Sequence, residues 1–265
     1  MKIFGKILLI LLLVLISVPL FILGFLGYIP GLSDVLGANK PRDLGIKFSE
    51  ADKSSARAKS QIIYETLPAD TSPDQSLQRS GTRPVTFEMS SAEASALMNN
   101  RPWKYWPYQN VQVKFNSDGS AEVSGSLIKD RLSGYAAAIG IPKQALDVAT
   151  KFLPPKPVFY LKMKASLKDN QVDVFEPESF QIGRISLPVS VLLSFNPPSL
   201  IPSAMAAEDE LTFELAKIKD KKSLIINYIN NRLGKMGGFF AKTASFAENK
   251  LIFDGSLSEK ESYAL

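Results

Sequence analysis

Three times this chain runs in strict apolar/polar alternation into a turn signal and out again. Val111, Val113 and Phe115 alternate with Asn110, Gln112 and Lys114; after Asp118-Gly119, Ala121, Val123, Gly125 and Leu127 alternate on the return. Phe159, Leu161, Met163, Ala165 and Leu167 alternate with Tyr160, Lys162, Lys164 and Ser166, and Asp169-Asn170 leads to Val172 and Val174. Ala244 and Phe246 precede Glu248-Asn249, followed by Leu251, Phe253, Gly255 and Leu257. Side chains of a strand point to opposite faces in turn, so period two marks a half-buried strand, and a turn signal between two such runs marks a hairpin. Three such hairpins predict an antiparallel sheet with one face in a core and one in water. Val113, Val123, Leu161 and Phe253 are expected on the core face, and Lys114, Glu122, Lys162 and Lys250 on the other. A further strand is expected around Leu211, Phe213 and Leu215. Residues 165–175 and 244–254 share a pattern that two hairpins of one sheet or an internal duplication would each explain.

Helix signals fall between the hairpins. Ser49 followed by Glu50 and Asp52 reads as an N-cap with acids in the first turn, and the helix is expected to run to about Tyr64. Ser90-Ser91-Ala92-Glu93 is a capping box ahead of Ala94, Leu97 and Met98. Lys143 to Leu153 is amphipathic and ends at Pro154-Pro155. Ser223 to Leu233 carries Ile225, Ile226, Ile229 and Leu233 in a stripe, with Gly234, Gly237 and Gly238 available to stop it. Pro188 to Phe195 reads as one or two helical turns. Leu67 to Pro84 is polar and proline-bearing and reads as a long loop. The fold class is therefore α+β: a curved antiparallel sheet of hairpins with short amphipathic helices packed on its apolar face.

Ahead of this body no charged residue occurs from Ile7 to Tyr28. A helix of that length covers roughly 30 Å, the hydrocarbon thickness of a bilayer. Lys2 and Lys6 precede it, and the positive-inside rule then puts the N-terminus in the cytoplasm and the remainder outside. The expected organisation is a transmembrane anchor over 1–28, a linker with a short helix and a polar loop over 29–84, and an extracytoplasmic α+β domain over 85–265. A cleaved signal peptide is the competing reading. Its apolar region is usually about 7–15 residues, and here the nearest small-x-small site, Val35-Leu36-Gly37, lies well past the apolar run.

The chain of 265 residues contains no cysteine and no histidine. Disulfides, thiolate or imidazole metal sites, a cysteine nucleophile and a Ser-His-Asp triad are thereby excluded. Carboxylates, Lys, Ser, Thr and Tyr remain. Glu176/Glu178 and Glu208/Asp209/Glu210 read as solvated turns rather than as a glycosidase pair held across a sugar. Ser126 and Lys129 match S-x-x-K, but they fall on a strand, where i and i+3 oppose each other. No catalytic, metal or cofactor residue is assigned. The formal net charge is +5. Its main basic run, Lys217 to Lys222, reads as a solvated helix approach or a contact for acidic headgroups, and the small excess argues against nucleic acid.

The most unusual segment is Arg101-Pro102-Trp103-Lys104-Tyr105-Trp106-Pro107-Tyr108, which holds both tryptophans. Trp103, Tyr105, Trp106 and Tyr108 are candidate ligand or interface contacts, as an interfacial belt, a stacking platform or a partner hot spot; the competing reading is a plug for one end of the core. In an extended loop Trp103 and Trp106 point to opposite sides, so one of them is expected to be exposed. Leu187 to Met205 carries no charge, and its prolines forbid a long helix; it is either core or an apolar lip.

The anchor, the Val85-Thr86-Phe87 strand with its helix ending Leu97-Met98-Asn99-Asn100, the hairpin from Val111 to Gly125 and Ile182-Gly183-Arg184-Ile185-Ser186-Leu187-Pro188 together resemble bacterial single-pass proteins with a β-rich outer domain, some of them similar to the tubular lipid-binding (TULIP-type) group. The resemblance covers Val85 to Pro188. It implies a long helix in a strongly curved sheet and an apolar groove for lipid chains, and it assigns no functional residue. The function expected is a non-enzymatic, membrane-tethered extracytoplasmic domain of the cell envelope that binds an apolar ligand, lipid first. The alternatives are a scaffold or assembly subunit of an envelope protein complex and an acid-dependent hydrolase.

Overall fold

The computed structural model describes residues 2–141, 143–151, 153–188 and 221–265, without the side chains of residues 2–12, 144, 145, 148, 149 and 221. The strand expected near Leu211, the turns expected over Pro188 to Phe195, the acids Glu208 to Glu210, and all but the first residues of the apolar segment Leu187 to Met205 lie outside the described residues.

The chain opens with α1 (Lys2–Leu26), a single helix that passes through Pro19. Its described side chains begin at Leu13, and from there Leu, Ile, Val and Phe are exposed all round the helix. Among the described residues no helix is long and apolar enough to cross a membrane. The transmembrane helix expected ahead of the body is therefore not part of the described fold.

The end of α1 is docked on the body. Its turn at Gly24 lies against Leu32 and Leu36 of the short α2 (Leu32–Val35) region, so close that a Cβ at Gly24 would stand 2.8 Å from Leu32. The Phe25 carbonyl accepts from the Arg184 backbone N–H at 2.8 Å, and Arg184 Nε donates to the Gly37 carbonyl at 2.9 Å.

The large sheet is antiparallel: β3 (Arg83–Ser90), β10 (Lys250–Leu257), β9 (Phe240–Ala247), β6 (Val158–Lys168), β5 (Ser120–Leu127) and β4 (Tyr108–Phe115) in that order, with β7 (Gln171–Ile182) and β8 (Ile185–Leu187) following from β6. One edge of β6 is shared: β5 pairs with residues 158–164 and β9 with residues 166–168, while β7 takes the other edge. Two strands cannot continue flat from one edge, so the sheet turns a corner there and curls into a half-barrel. Register shifts opposite Lys162/Met163 and Ser166/Leu167 leave Glu178 and Asp173 of β7 without a rung partner in β6, and these bulges bend β7 along the corner.

The three expected hairpins are all present. Val113, Val123 and Leu161 pair in one rung, and Lys114, Glu122 and Lys162 in the next, so the two sets occupy opposite faces as alternation requires. Val113 and Phe253 are buried, and Val123 and Leu161 are half-buried.

A second sheet was not expected. β1 (Ile63–Leu67), β11 (Lys260–Ala264) and β2 (Leu77–Ser80) lie in the order β1-β11-β2, with β11 parallel to β1 and antiparallel to β2. The helix from Ser49 has its capping box but ends earlier than Tyr64. α3 (Glu50–Ser60) stops at Gln61, whose φ of 56° breaks the helical path, and the chain then enters β1. The expected loop over residues 67–84 holds a 3₁₀ turn at Pro73–Gln75 and β2. Both short strands are read only against β11, so local sequence carries little sign of them. Among the described residues the remaining α-helices are α4 (Ser91–Asn99), α5 (Leu132–Ala138), α6 (Lys143–Lys151) and α7 (Lys221–Gly234).

The expected linker is a strap rather than a tether. Gln112, Ser124, Tyr160 and Gln181 form one polar rung across β4, β5, β6 and β7. Arg42 and Leu44 cross it: the Arg42 amide donates to Ser124 Oγ at 2.7 Å, its guanidinium to Gln181 Oε1 at 2.8 Å, and the Leu44 amide to Gln112 Oε1 at 2.7 Å. The Arg42 guanidinium also stacks 4.1 Å over the Tyr160 ring. Ser124, Tyr160 and Gln181 are buried beneath it.

Candidate ligand-binding face and aromatic segment

Directly behind the strapped rung, on the concave side, lies an apolar one. Val113, Val123, Leu161, Phe180 and Leu187 pair in sequence from β4 through β5, β6 and β7 to β8. The neighbouring rung runs Gly125, Phe159, Ile182 and Ile185. Gly125 is needed there because a Cβ would stand 2.7 Å from Val111 Cγ2 and 3.1 Å from the Phe159 ring. On the other side come Phe115, Ala121, Met163 and Pro177. Burial fades along these rungs. Val111, Val113, Phe115 and Ala121 form a closed cluster with Ala94 and Met98 of α4. From Val123 outward to Leu161, Met163, Phe180 and Leu187 every apolar side chain is half-buried. The result is an apolar surface continuous with the core at β4 and accessible toward β7 and β8.

The charged groups near this surface are on the opposite face. Lys162 Nζ lies 2.9 Å from Glu178 and 3.8 Å from Asp118. The hydrogen bond to Glu178 raises the Lys162 pKa above its ordinary value against a small desolvation penalty. Glu178 is thus engaged in an exposed ion pair, and Glu176, beyond Pro177, is exposed. The Ser126 hydroxyl donates to the Gln109 carbonyl and Lys129 Nζ to the Leu153 carbonyl, so neither acts on the other. No cluster of acidic side chains able to hold a metal occurs among the described residues.

The aromatic segment is built into the core. Trp103 is 1% and Trp106 8% exposed, so the expectation that one indole faces solvent is overturned. The physical reason is a tight turn: the Trp106 amide donates to the Trp103 carbonyl at 2.9 Å, which brings the two rings to 6.4 Å on the same side. Both indole donors have internal acceptors, Ser76 Oγ at 3.2 Å for Trp103 and the Met98 carbonyl at 2.6 Å for Trp106. Tyr105 meets Trp103 edge-on at 6.3 Å and lies against Gly134, where a Cβ would stand 2.1 Å from its ring. Tyr108 is packed against Trp106 at 5.0 Å, Tyr135 at 5.8 Å and Phe159 at 6.2 Å, and burial pushes its phenol pKa far up. Tyr263 of β11 and Leu77 of β2 complete the cluster, which joins the small sheet to the large one. Tyr135, Ser76 and Tyr263 carried no signal in the sequence, since each is a partner only through the fold. No protein-family model, curated protein or solved structure matches this chain.

Proposed function

We propose that this chain is a membrane-tethered extracytoplasmic protein whose curled sheet holds an apolar ligand, lipid in the first place, on its accessible concave rungs. One observation carries the reading: the row Val113, Val123, Leu161, Phe180 and Leu187 passes without a polar interruption from closed core to half-buried surface. Half-buried apolar area is worth about 25 cal/mol per Å² once covered, so an acyl chain laid along these rungs would be held by burial alone, with no catalytic group required. The tether is the uncharged stretch from residue 7 to 28, with Lys2 and Lys6 on the cytoplasmic side. The exposed apolar side chains from Leu13 to Phe25 support it, because such a surface is stable in lipid and not in water. The docking of the α1 end on Arg184, beside β8, supports a tether that would hold the open side of the row close to the membrane surface.

Native mass spectrometry of the full chain, released from neutral detergent, tests the reading. Wild type is expected to carry lipid. Phe180→Glu is expected to lose it, while Lys164→Glu on the opposite face is expected to keep it. A lipid-free wild type with native circular dichroism overturns the ligand reading. A reporter fused after Leu265 that is active only in the cytoplasm overturns the topology.

A further inference from the structure

A small cleft of about 70 Å3, partly open to solvent, lies where α3, α4, β1 and β11 meet; it is lined by Arg57, Tyr64, Leu97, Asn100, Arg101, Pro102 and Tyr263. None of these residues belongs to the apolar rungs. Two guanidiniums enter the cleft from different elements, and in both the Nε atom is buried without a hydrogen-bond partner. Buried donors are nearly always paired, because an unpaired one keeps its full desolvation cost. Two such donors, each part of a cation, beside one cleft point to a missing acceptor.

The charges around the cleft do not balance. Glu261 is 3% exposed and is held by Arg79 at 3.1 Å and by Arg101. Arg57 makes no ion pair among the described residues and is stacked over the Tyr64 ring at 4.7 Å. Lys59, two residues on in α3, is already neutralised by Glu93 at 2.6 Å. Arg57, Arg79 and Arg101 therefore face a single carboxylate, which leaves an excess of two positive charges. Both lining guanidiniums are oriented by aromatic faces, Arg57 by Tyr64 and Arg101 by Trp106 at 4.9 Å, so little freedom is lost when they bind. The Tyr64 phenol, its pKa raised by burial and then by Glu261, stays protonated and adds no negative charge to the cleft.

We infer that this cleft is a binding site for a compact oxyanion of the phosphate class, received between Arg57 and Arg101. A phosphate monoester carries about two charges and three acceptor oxygens, which matches two planar donors better than a single carboxylate does. Free phosphate and the monoester headgroup of a lipid offer the same chemistry, and the test separates them.

The full chain in neutral maltoside detergent is titrated at low salt with inorganic phosphate, and separately with short-chain phosphatidic acid against short-chain phosphatidylcholine. Calorimetry and the fluorescence of Trp106, which lies under Arg101, give the readouts. Saturable binding is expected, weakened roughly 10- to 100-fold by Arg57→Gln, the loss of one or two charged hydrogen bonds. Lys242→Gln, which removes a charge from the far sheet, is expected to change nothing. The probe that saturates at the lower concentration identifies the source. Arg57→Lys, which keeps the charge and loses the fork, replaces Arg57→Gln if the latter loses its native circular dichroism. The inference is overturned if neither probe saturates the wild type, or if a folded Arg57 variant binds both probes as wild type does.

Discussion

At the scale of single residues, the helix α4 solves a problem that every sheet has. Among the described residues β4 pairs with β5 alone, so its other edge is left with backbone groups to satisfy, and bare edges invite pairing with other chains. Ser91, Ser95 and Asn99, spaced by one helical turn, cover it: they accept from the amides of Phe115, Val113 and Val111 at 3.0, 2.8 and 2.8 Å. Asn99 Nδ2 also donates to the Val111 carbonyl at 2.7 Å. In the sequence these three look like ordinary polar positions of a short helix. The capping box beside them was legible, and the structure adds what it holds. Glu93 is buried, closes the box on the Ser90 amide at 2.7 Å, and accepts from Ser55 at 2.5 Å and Lys59 at 2.8 Å. Burial alone would raise its pKa from 4.5, but the hydrogen bonds from Lys59, Ser55 and Ser90 outweigh it and the net shift is downward. A depressed carboxyl pKa stabilises the fold above the unfolded value and loses that contribution as pH falls through the folded one. Glu93→Gln is therefore expected to cost about 1–3 kcal/mol near neutral pH. The gap between the two proteins should narrow once pH drops below about 4.5. Urea denaturation of both proteins across this range is the check, and a gap independent of pH would mean Glu93 is not held ionised by its partners.

At the scale of elements, alternation correctly assigned the faces of the strands but not the depth of each position. Phe253 stacks on Phe87 at 5.2 Å and is closed into the core with Val85 and Ala241. Leu161, on the same kind of position in another hairpin, is half-buried because it lies on the accessible side of the corner in β6. Phe253→Ala is expected to cost about 3–5 kcal/mol and Leu161→Ala about 1–3 kcal/mol. Lys162→Ala, which breaks the partly exposed ion pairs with Glu178 and Asp118, is expected to cost less than about 1 kcal/mol. The order of the three denaturation midpoints is the measurement. If Leu161→Ala matches Phe253→Ala, the rung through β6 is closed core and the accessible face does not exist. The outward polar positions hold a similar lesson. Alternation puts Gln112 and Tyr160 toward water, and they do face away from the core, but the chain itself returns to cover them with Arg42 and Leu44.

At the scale of the whole molecule, the last strand holds the small sheet together. β11 lies between β1 and β2, carries Glu261 to Arg79 and Arg101, and packs Tyr263 against the tryptophan cluster. Contacts between residues 63–67 and 260–264 close a loop of about three quarters of the chain, and closure over such a separation carries a large entropic cost. Deleting Lys260 to Leu265 is expected to release β1 and β2 and to open one side of Trp103. Hydrogen exchange should show the protection of Ile63–Leu67 and Leu77–Ser80 collapsing while that of β6 persists, with tryptophan emission shifted to the red. Retained protection at those two strands would show that the small sheet does not depend on β11.

What the sequence determined by itself was whatever is encoded within a few residues. Hairpins are written in period-two alternation around Asp118-Gly119, Asp169-Asn170 and Glu248-Asn249, and helix starts in Ser49 and Ser90, because a strand's faces and a helix's first turn are set by neighbouring side chains. The missing histidine and cysteine removed whole classes of chemistry without any structure. Only the tertiary structure decided the rest. The packing of Trp103 and Trp106 against Ser76, Tyr135 and Tyr263, the short strands β1 and β2, the strap over the polar rung and the meeting of Arg57 with Arg101 all depend on segments tens to hundreds of residues apart. Their partners are chosen by which surfaces the curled sheet leaves open, and local pattern carries no record of that choice.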